Sequence, residues 1–205
     1  MNNLFDIACN FSSDRFDKDL DAVIERAKIN NVNKFLIVSA SLNDFEKTYN
    51  IYKSNLKEAF FSIGTHPHHA DEINAEQIKN MRRLVGEHNP SCIGETGLDF
   101  FRNLSSHDEQ TYAFQEQIKI AIDFNKPLYL HQRDSHSEFI KIISEYKDYL
   151  PKSVVHCFTG TQSELEDYLD LGFYIGLTGW VCDERRNVEL RQSIKNIPLD
   201  RLMLK

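Results

Sequence analysis

Eight short apolar runs, each separated from the next by a segment of helical period, constrain this chain more than any other feature of its sequence. The runs are Leu4–Ala8, Phe35–Val38, Phe60–Gly64, Cys92–Gly94, Leu128–His131, Val154–Phe158, Phe173–Leu177 and Leu202–Leu204. Several are nearly continuous in Val, Ile, Leu, Phe and Tyr, as expected of parallel strands covered on both faces. Between them, Leu20, Val23, Ile24 and Ala27 follow the i, i+3, i+4, i+7 spacing of an amphipathic helix, and Phe114, Ile118, Ala121 and Ile122 do much the same. Asn74 with Gln77, and Ser163 with Glu166, read as capping boxes. An unbroken β-α order implies parallel strands joined by right-handed crossovers. Eight strands with seven helices favour an α/β fold of the TIM (β/α)₈ barrel type, C-terminally incomplete because the last helix is missing. Residues 1–205 read as one domain: no linker, repeat or low-complexity tract divides them.

Composition narrows the function classes. The net charge of −7 argues against a protein that coats nucleic acid by bulk electrostatics, yet it leaves room for an enzyme with a few cations in a cleft. No apolar run approaches the roughly 20 residues of a membrane span. The opening Met1-Asn2-Asn3-Leu4-Phe5-Asp6 lacks the regions of a signal peptide. Cys9, Cys92, Cys157 and Cys182 form no CxxC pair and read as reduced, packed thiols of a cytoplasmic protein.

Chemistry is concentrated where the strand candidates end. The third runs into Gly64-Thr65-His66-Pro67-His68-His69 and the fourth into Gly94-Glu95-Thr96-Gly97-Leu98-Asp99. The fifth ends Leu130-His131-Gln132-Arg133-Asp134, and the sixth carries Val155-His156-Cys157-Phe158-Thr159-Gly160. In a barrel these ends converge on one face, where barrel active sites lie. His66, Glu95, His131 and His156 follow one another at intervals of 29, 36 and 25 residues, each about one βα unit. Packing alone does not produce such a recurrence. Glu95, His131 and His156 make a mixed oxygen and nitrogen set suited to a divalent ion such as Zn²⁺, Mn²⁺ or Mg²⁺.

Other residues have competing readings. His66 is either part of the site or a local hydrogen-bonding residue of its Thr-His-Pro turn. His68 either touches ligand or is solvated, as His69 is expected to be. Asp99 either supports the site or caps its loop. Arg133 either holds a phosphate in bidentate fashion or pairs with Asp134. Thr159-Gly160 is a weak anion-binding signal, and Trp180 is either a base-stacking residue or a rim aromatic. His88, His107 and His136 are expected at the surface.

Gly64–His68, Ile93–Phe100, Leu130–Asp134, Val155–Gly160 and Tyr174–Arg186 together resemble the signature blocks of TatD-type deoxyribonucleases, in the same order along the chain. The resemblance implies a metal-dependent phosphodiester hydrolase, a 3′-5′ exonuclease or deoxyribonuclease on single-stranded DNA and also RNA, with Mg²⁺ as the foremost ion and Mn²⁺ or Zn²⁺ as alternatives. It implies metal ligation by Glu95, His131 and His156, a catalytic set of His66, Glu95 and Asp99, and substrate contacts from Arg133 and His68. Its partners are strand 3′ ends, with no membrane and no obligate protein partner.

Two departures stand out. Ala8 and Asn10 occupy the positions of a His-x-His pair present in most of the family. The strand-eight pattern Glu-Thr-Asp-Ala-Pro, whose Asp serves as ligand and base, is absent, and Lys205 falls where its Glu would stand. The expectation is therefore a portion of a longer protein, or else a product of low activity and marginal stability. Two alternatives remain at this stage: a small-molecule metallohydrolase of the amidohydrolase type and a non-catalytic nucleic-acid-binding remnant. Glu95 stands where many amidohydrolases carry a metal-bridging lysine, which weighs against the first.

Overall fold

Parallel pairing of every consecutive strand follows from the β-α alternation, and a computed structural model, which describes residues 3–55, 57–184 and 188–205, has that arrangement. Met1, Asn2, Arg185 and Arg186, which entered the readings of the N-terminus and of the last family block, lie outside the described residues.

The strands are β1 (Leu4–Cys9), β2 (Val32–Ile37), β3 (Ala59–Ile63), β4 (Cys92–Asp99), β5 (Leu128–Arg133), β6 (Val154–Val155), β7 (Tyr174–Leu177) and β8 (Leu202–Leu204). The order in the sheet is β1 through β8 in sequence, all parallel, with β8 returning against β1. Among the described residues the α-helices are α1 (Leu20–Ile29), α2 (Phe45–Ser54), α3 (Ala75–His88), α4 (His107–Asp123), α5 (His136–Ser144), α6 (Gln162–Asp170) and α7 (Val188–Ser193). One helix thus follows each of the first seven strands, the arrangement of a TIM barrel.

Two apolar layers hold the fold. Side chains such as Ile37, Ile63, Ile93, Leu98 and Leu128 leave the barrel outward and are fully covered by Met81, Phe114, Ile118 and Phe139 of the helices. The barrel interior is filled by Ile7, Leu36, Val38, Cys92 and Tyr129, with Phe60, Val154 and Met203 against them. Fully burying one such aliphatic or aromatic side chain contributes roughly 1.5–3 kcal/mol. The interior plug is also the floor of the site described below.

Three local expectations are corrected. β4 does not stop at Gly94 but continues through Asp99, paired with β5 as far as Arg133. The cause lies in its two glycines. Gly94 and Gly97 have φ of +143° and +142°, and a Cβ on either would collide with the carbonyl oxygen of Tyr129 or of His131. Glycine alone lets β4 run this close to β5. β6 is shorter than expected, because Cys157 turns (φ +53°) between His156 and Phe158, whose N–H groups still bond the Leu130 and Gly176 carbonyls of the neighbouring strands. The capping box of α6 is Thr161 with Glu164, two residues before the expected Ser163 and Glu166. At α3 the Asn74 side chain does accept from the backbone of Glu76 and Gln77.

Candidate functional site

Four strand ends deliver the residues that the spacing singled out. Glu95 lies inside β4, His131 inside β5, His156 just after β6, and His66 just after β3, capping the turn Pro67–Glu72. One oxygen, Glu95 Oε1, is 2.6 Å from His156 Nε2, 3.0 Å from His131 Nδ1 and 3.3 Å from His66 Nε2. His156 is clamped from below by Tyr129, whose ring stacks on it at 4.5 Å, so the interior plug sets the imidazole plane.

Asp99 and His68 join the same cluster. Asp99 Oδ2 accepts from His68 Nε2 at 2.7 Å and lies 3.4 Å from His131 Nε2, a charge contact longer than a hydrogen bond. Its other oxygen accepts from the backbone N–H of Phe101 and Arg102. The two readings of Asp99, support of the site and cap of its loop, are thus both met geometrically. His68 is half-buried rather than solvated; His69 pairs with Glu72.

The electrostatics separate the four imidazoles. Burial pushes the Glu95 carboxyl up, but the surrounding His156, His66 and His131 hold it well below the usual carboxylate range. Burial also opposes a charge on His131, yet Asp99 and Glu95 on its two sides push it up to about 9. Burial wins at His66, lowered to about 4 despite Glu95, and likewise lowers His156. Without an ion, the positive charge beside Glu95 therefore resides on His131, while His66 and His156 stay neutral.

A stability profile follows. Between pH 6.5 and 9 the folded chain holds a proton on His131 that the unfolded chain has released, so stability falls as pH rises. Between pH 6.5 and about 4 the unfolded chain charges a histidine that the fold keeps neutral at His66, so stability falls as pH drops. Thermal unfolding of the EDTA-treated chain across pH 4–9 is expected to give a maximum melting temperature near pH 6.5.

The residues fit a divalent ion on three grounds. His66, Glu95 and His131 offer ligand atoms that all lie within 4.8 Å of one another. His131 Nδ1 and His156 Nε2 both face Glu95 Oε1, so each ring turns one nitrogen toward the same carboxylate oxygen. The donors are imidazole nitrogen and carboxylate oxygen, the chemistry of Zn²⁺, Mn²⁺ and Mg²⁺ sites.

His66 differs from the other histidines in one respect. Its Nδ1 accepts the His68 backbone N–H at 3.1 Å, so a neutral His66 carries its proton on Nε2 and faces Glu95 as a donor. That tautomer suits contact with an anionic oxygen better than ligation. His156, whose Nε2 meets Glu95, is a further candidate ligand, although the three ligand atoms within 4.8 Å of one another belong to His66, Glu95 and His131.

Above these residues opens a cleft of about 290 Å³ lined by His131, Gln132, Arg133, His156, Cys157, Thr159 and Trp180. Arg133 makes no ion pair with Asp134 among the described residues; its guanidinium lies 3.9 Å from the centre of the Phe101 ring. Trp180 is 39% exposed at the rim. Ala8 and Asn10 bring no imidazole, and Asp6 Oδ1 instead accepts from the Ala8 backbone.

Sequence reasoning missed two supporting glutamines on α4. Gln117 Oε1 accepts from Thr65 N–H and its amide donates to the Thr65 carbonyl, while Gln110 does the same for Asp99. Both are fully buried and fix the backbone beside His66 and at Asp99. Their seven-residue spacing on the apolar face of α4 was the available signal. His136 is likewise half-buried rather than on the surface, bonded to Asp167 and Tyr168, and His88 is half-buried against Tyr49. Only His107 of these three is exposed, stacked on Phe100. The four cysteines are free. No helix among the described residues is long and apolar enough to cross a membrane.

Comparison with known proteins agrees with this geometry. A family model described as TatD related DNase matches residues 5–205. Over 201 residues the chain is 40% identical to a protein named 3′-5′ ssDNA/RNA exonuclease TatD from Pantoea ananatis, covering 98% of this chain and 77% of that one. A protein of the same name from Cronobacter sakazakii is 42% identical, with 98% and 76% covered. Among solved structures, a hydrolase TatD family protein from Entamoeba histolytica superposes with a TM-score of 0.89 at 29% identity, covering all of this chain and 74% of that one. The chain thus spans about three quarters of the length of these proteins.

Proposed function

Because the chain belongs to the TatD-related DNase family, we propose that it is a metal-dependent phosphodiesterase trimming single-stranded DNA and RNA from the 3′ end. The observation that carries the reading is Glu95 Oε1, ringed by three imidazoles from three other strand ends, on the floor of a cleft with Arg133 in its wall.

We assign ligation of a divalent ion to Glu95, His131 and His156. Such an ion, when bound, would lower the pKa of water (from about 16 to roughly 7 where the ion is Zn²⁺) and polarise a phosphoryl oxygen. The protein's residues divide the remaining work. Asp99 lies behind His131, with Oδ2 3.4 Å from Nε2, so its charge raises the basicity of that ring toward an ion. His66 presents its Nε2–H as a donor to a phosphate oxygen, and His68, fixed by Asp99, stands beside it. Arg133 offers two parallel N–H groups to the phosphate, where charge develops as the bond breaks.

The family resemblance favours Mg²⁺, whereas two imidazoles with one carboxylate favour Mn²⁺ or Zn²⁺ over Mg²⁺. Four free thiols suit a reducing compartment, and we place the enzyme in the cytoplasm.

The test is time-resolved trimming of a single-stranded oligonucleotide labelled at either end, with Mg²⁺, Mn²⁺, Zn²⁺ or EDTA. Expected is metal-dependent release of mononucleotides beginning at the 3′ end and none in EDTA. Binding of the oligonucleotide with no release in any metal would mean a nucleic-acid-binding protein instead. Release beginning at the 5′ end would overturn the polarity.

A further inference from the structure

We infer that Phe101, held in place by Asp99 and backed by Arg133, is a stacking shelf for one nucleobase of the substrate strand. The inference rests on the phosphodiesterase reading and adds a substrate-positioning residue to it.

A lone exposed hydrophobic side chain is ordinary and needs no explanation. Phe101 is not placed like one. It is 58% exposed, yet its backbone is pinned: Phe101 N–H donates to Asp99 Oδ1 at 3.1 Å, and the neighbouring Phe100 N–H donates to the Arg133 carbonyl at 2.9 Å. The same Asp99 carboxylate accepts from His68 and faces His131 with its other oxygen. One side chain therefore joins the His68 ring, beside the candidate metal centre, to the loop that carries the aromatic.

The register does the rest. Asp99 pairs with Arg133 across β4 and β5, which brings the guanidinium over the Phe101 ring at 3.9 Å. Arg133 also lines the cleft, so the stacked pair begins where the cleft wall ends. An arginine held against an aromatic face keeps its planar donors pre-ordered. A base resting on the exposed part of Phe101 would then stack on the ring while the strand's phosphate meets the guanidinium. Stacking of this kind accepts any base, which fits a strand-trimming enzyme without sequence preference.

The experiment compares wild type, Phe101→Ala and Phe101→Trp on oligonucleotides carrying an abasic unit at the first, second or third position from the 3′ end. In wild type, one abasic position is expected to lower kcat/KM by roughly 5- to 150-fold, the range of one lost base–aromatic stack. Phe101→Ala should lose a similar factor on the intact strand and lose nothing further on that abasic strand. Phe101→Trp should behave as wild type. Equal losses for Phe101→Ala on every strand, or no loss on any, would overturn the shelf.

A parallel binding measurement uses 2-aminopurine at the same three positions. If wild type trims nothing, quenching at one position that disappears in Phe101→Ala would uphold the shelf while the phosphodiesterase reading fails. Absence of quenching in wild type, or quenching unchanged in Phe101→Ala, would overturn the shelf.

Discussion

Replacing Glu95 with glutamine is expected to lower kcat/KM for strand trimming by at least about 10³-fold while leaving the chain folded. Glutamine has nearly the same volume, so the floor formed by Tyr129 and its neighbours is not disturbed. What disappears is the negative charge on which His156, His131 and His66 converge within 3.3 Å. A neutral amide is a far poorer partner for a cation, and the transition-state stabilisation that a bound ion supplies amounts to several kcal/mol, each 1.36 kcal/mol being tenfold in rate. A second readout separates this account from a general loss of fold. With Glu95 gone, His131 loses one of the two carboxylates that push it up to about 9. The fall in metal-free stability from pH 6.5 to 9 should therefore shrink in Glu95→Gln. Trimming within tenfold of wild type would show that the carboxylate does not hold the ion the reaction needs.

The largest effect on stability is expected at Gln117→Leu, a substitution that changes no charge. The Gln117 amide is the hydrogen-bond partner of Thr65 N–H at 2.8 Å and of the Thr65 carbonyl at 3.0 Å, in a place without solvent access. Leucine fills the space and leaves both backbone groups unpaired, each at about 1–3 kcal/mol. The sum, about 2–6 kcal/mol, corresponds to a drop in melting temperature of roughly 5–20 °C for a chain of this size. Gln115→Leu on the same helix, where the side chain is only half-buried, should change stability by no more than about 0.5 kcal/mol. Because Thr65 precedes His66, surviving Gln117→Leu protein should also trim more slowly. A drop no larger than that of Gln115→Leu, measured by thermal unfolding, would contradict the role given to Gln117.

These two residues mark what was legible in the sequence and what was not. Glu95, His131 and His156 stood out because a ligand-type residue recurred once per βα unit, and the parallel barrel necessarily gathers such residues at one face. Gln117 and Gln110 are harder to read, since glutamine is usually a surface residue and their spacing on the apolar face of α4 signals burial without naming the backbone they meet. A glycine interrupts a strand pattern in sequence, whereas here Gly94 and Gly97 admit the carbonyls of β5 and so extend β4. The start of α6 was misplaced because Thr161-x-x-Glu164 and Ser163-x-x-Glu166 are equally good boxes in isolation. Only the burial of Leu165 and Tyr168 against the core decides between them. The double role of Asp99 was also beyond sequence, because its loop contacts and its histidine contacts belong to separate oxygens.

Titration of free Mn²⁺ by electron paramagnetic resonance, on wild type beside Glu95→Gln at neutral pH, tests the central claim most directly. The account predicts that wild type removes Mn²⁺ from the free signal stoichiometrically and that the variant leaves the signal largely intact. Equal uptake by the two proteins would contradict it, because the ion would then be held somewhere other than Glu95, His131 and His156.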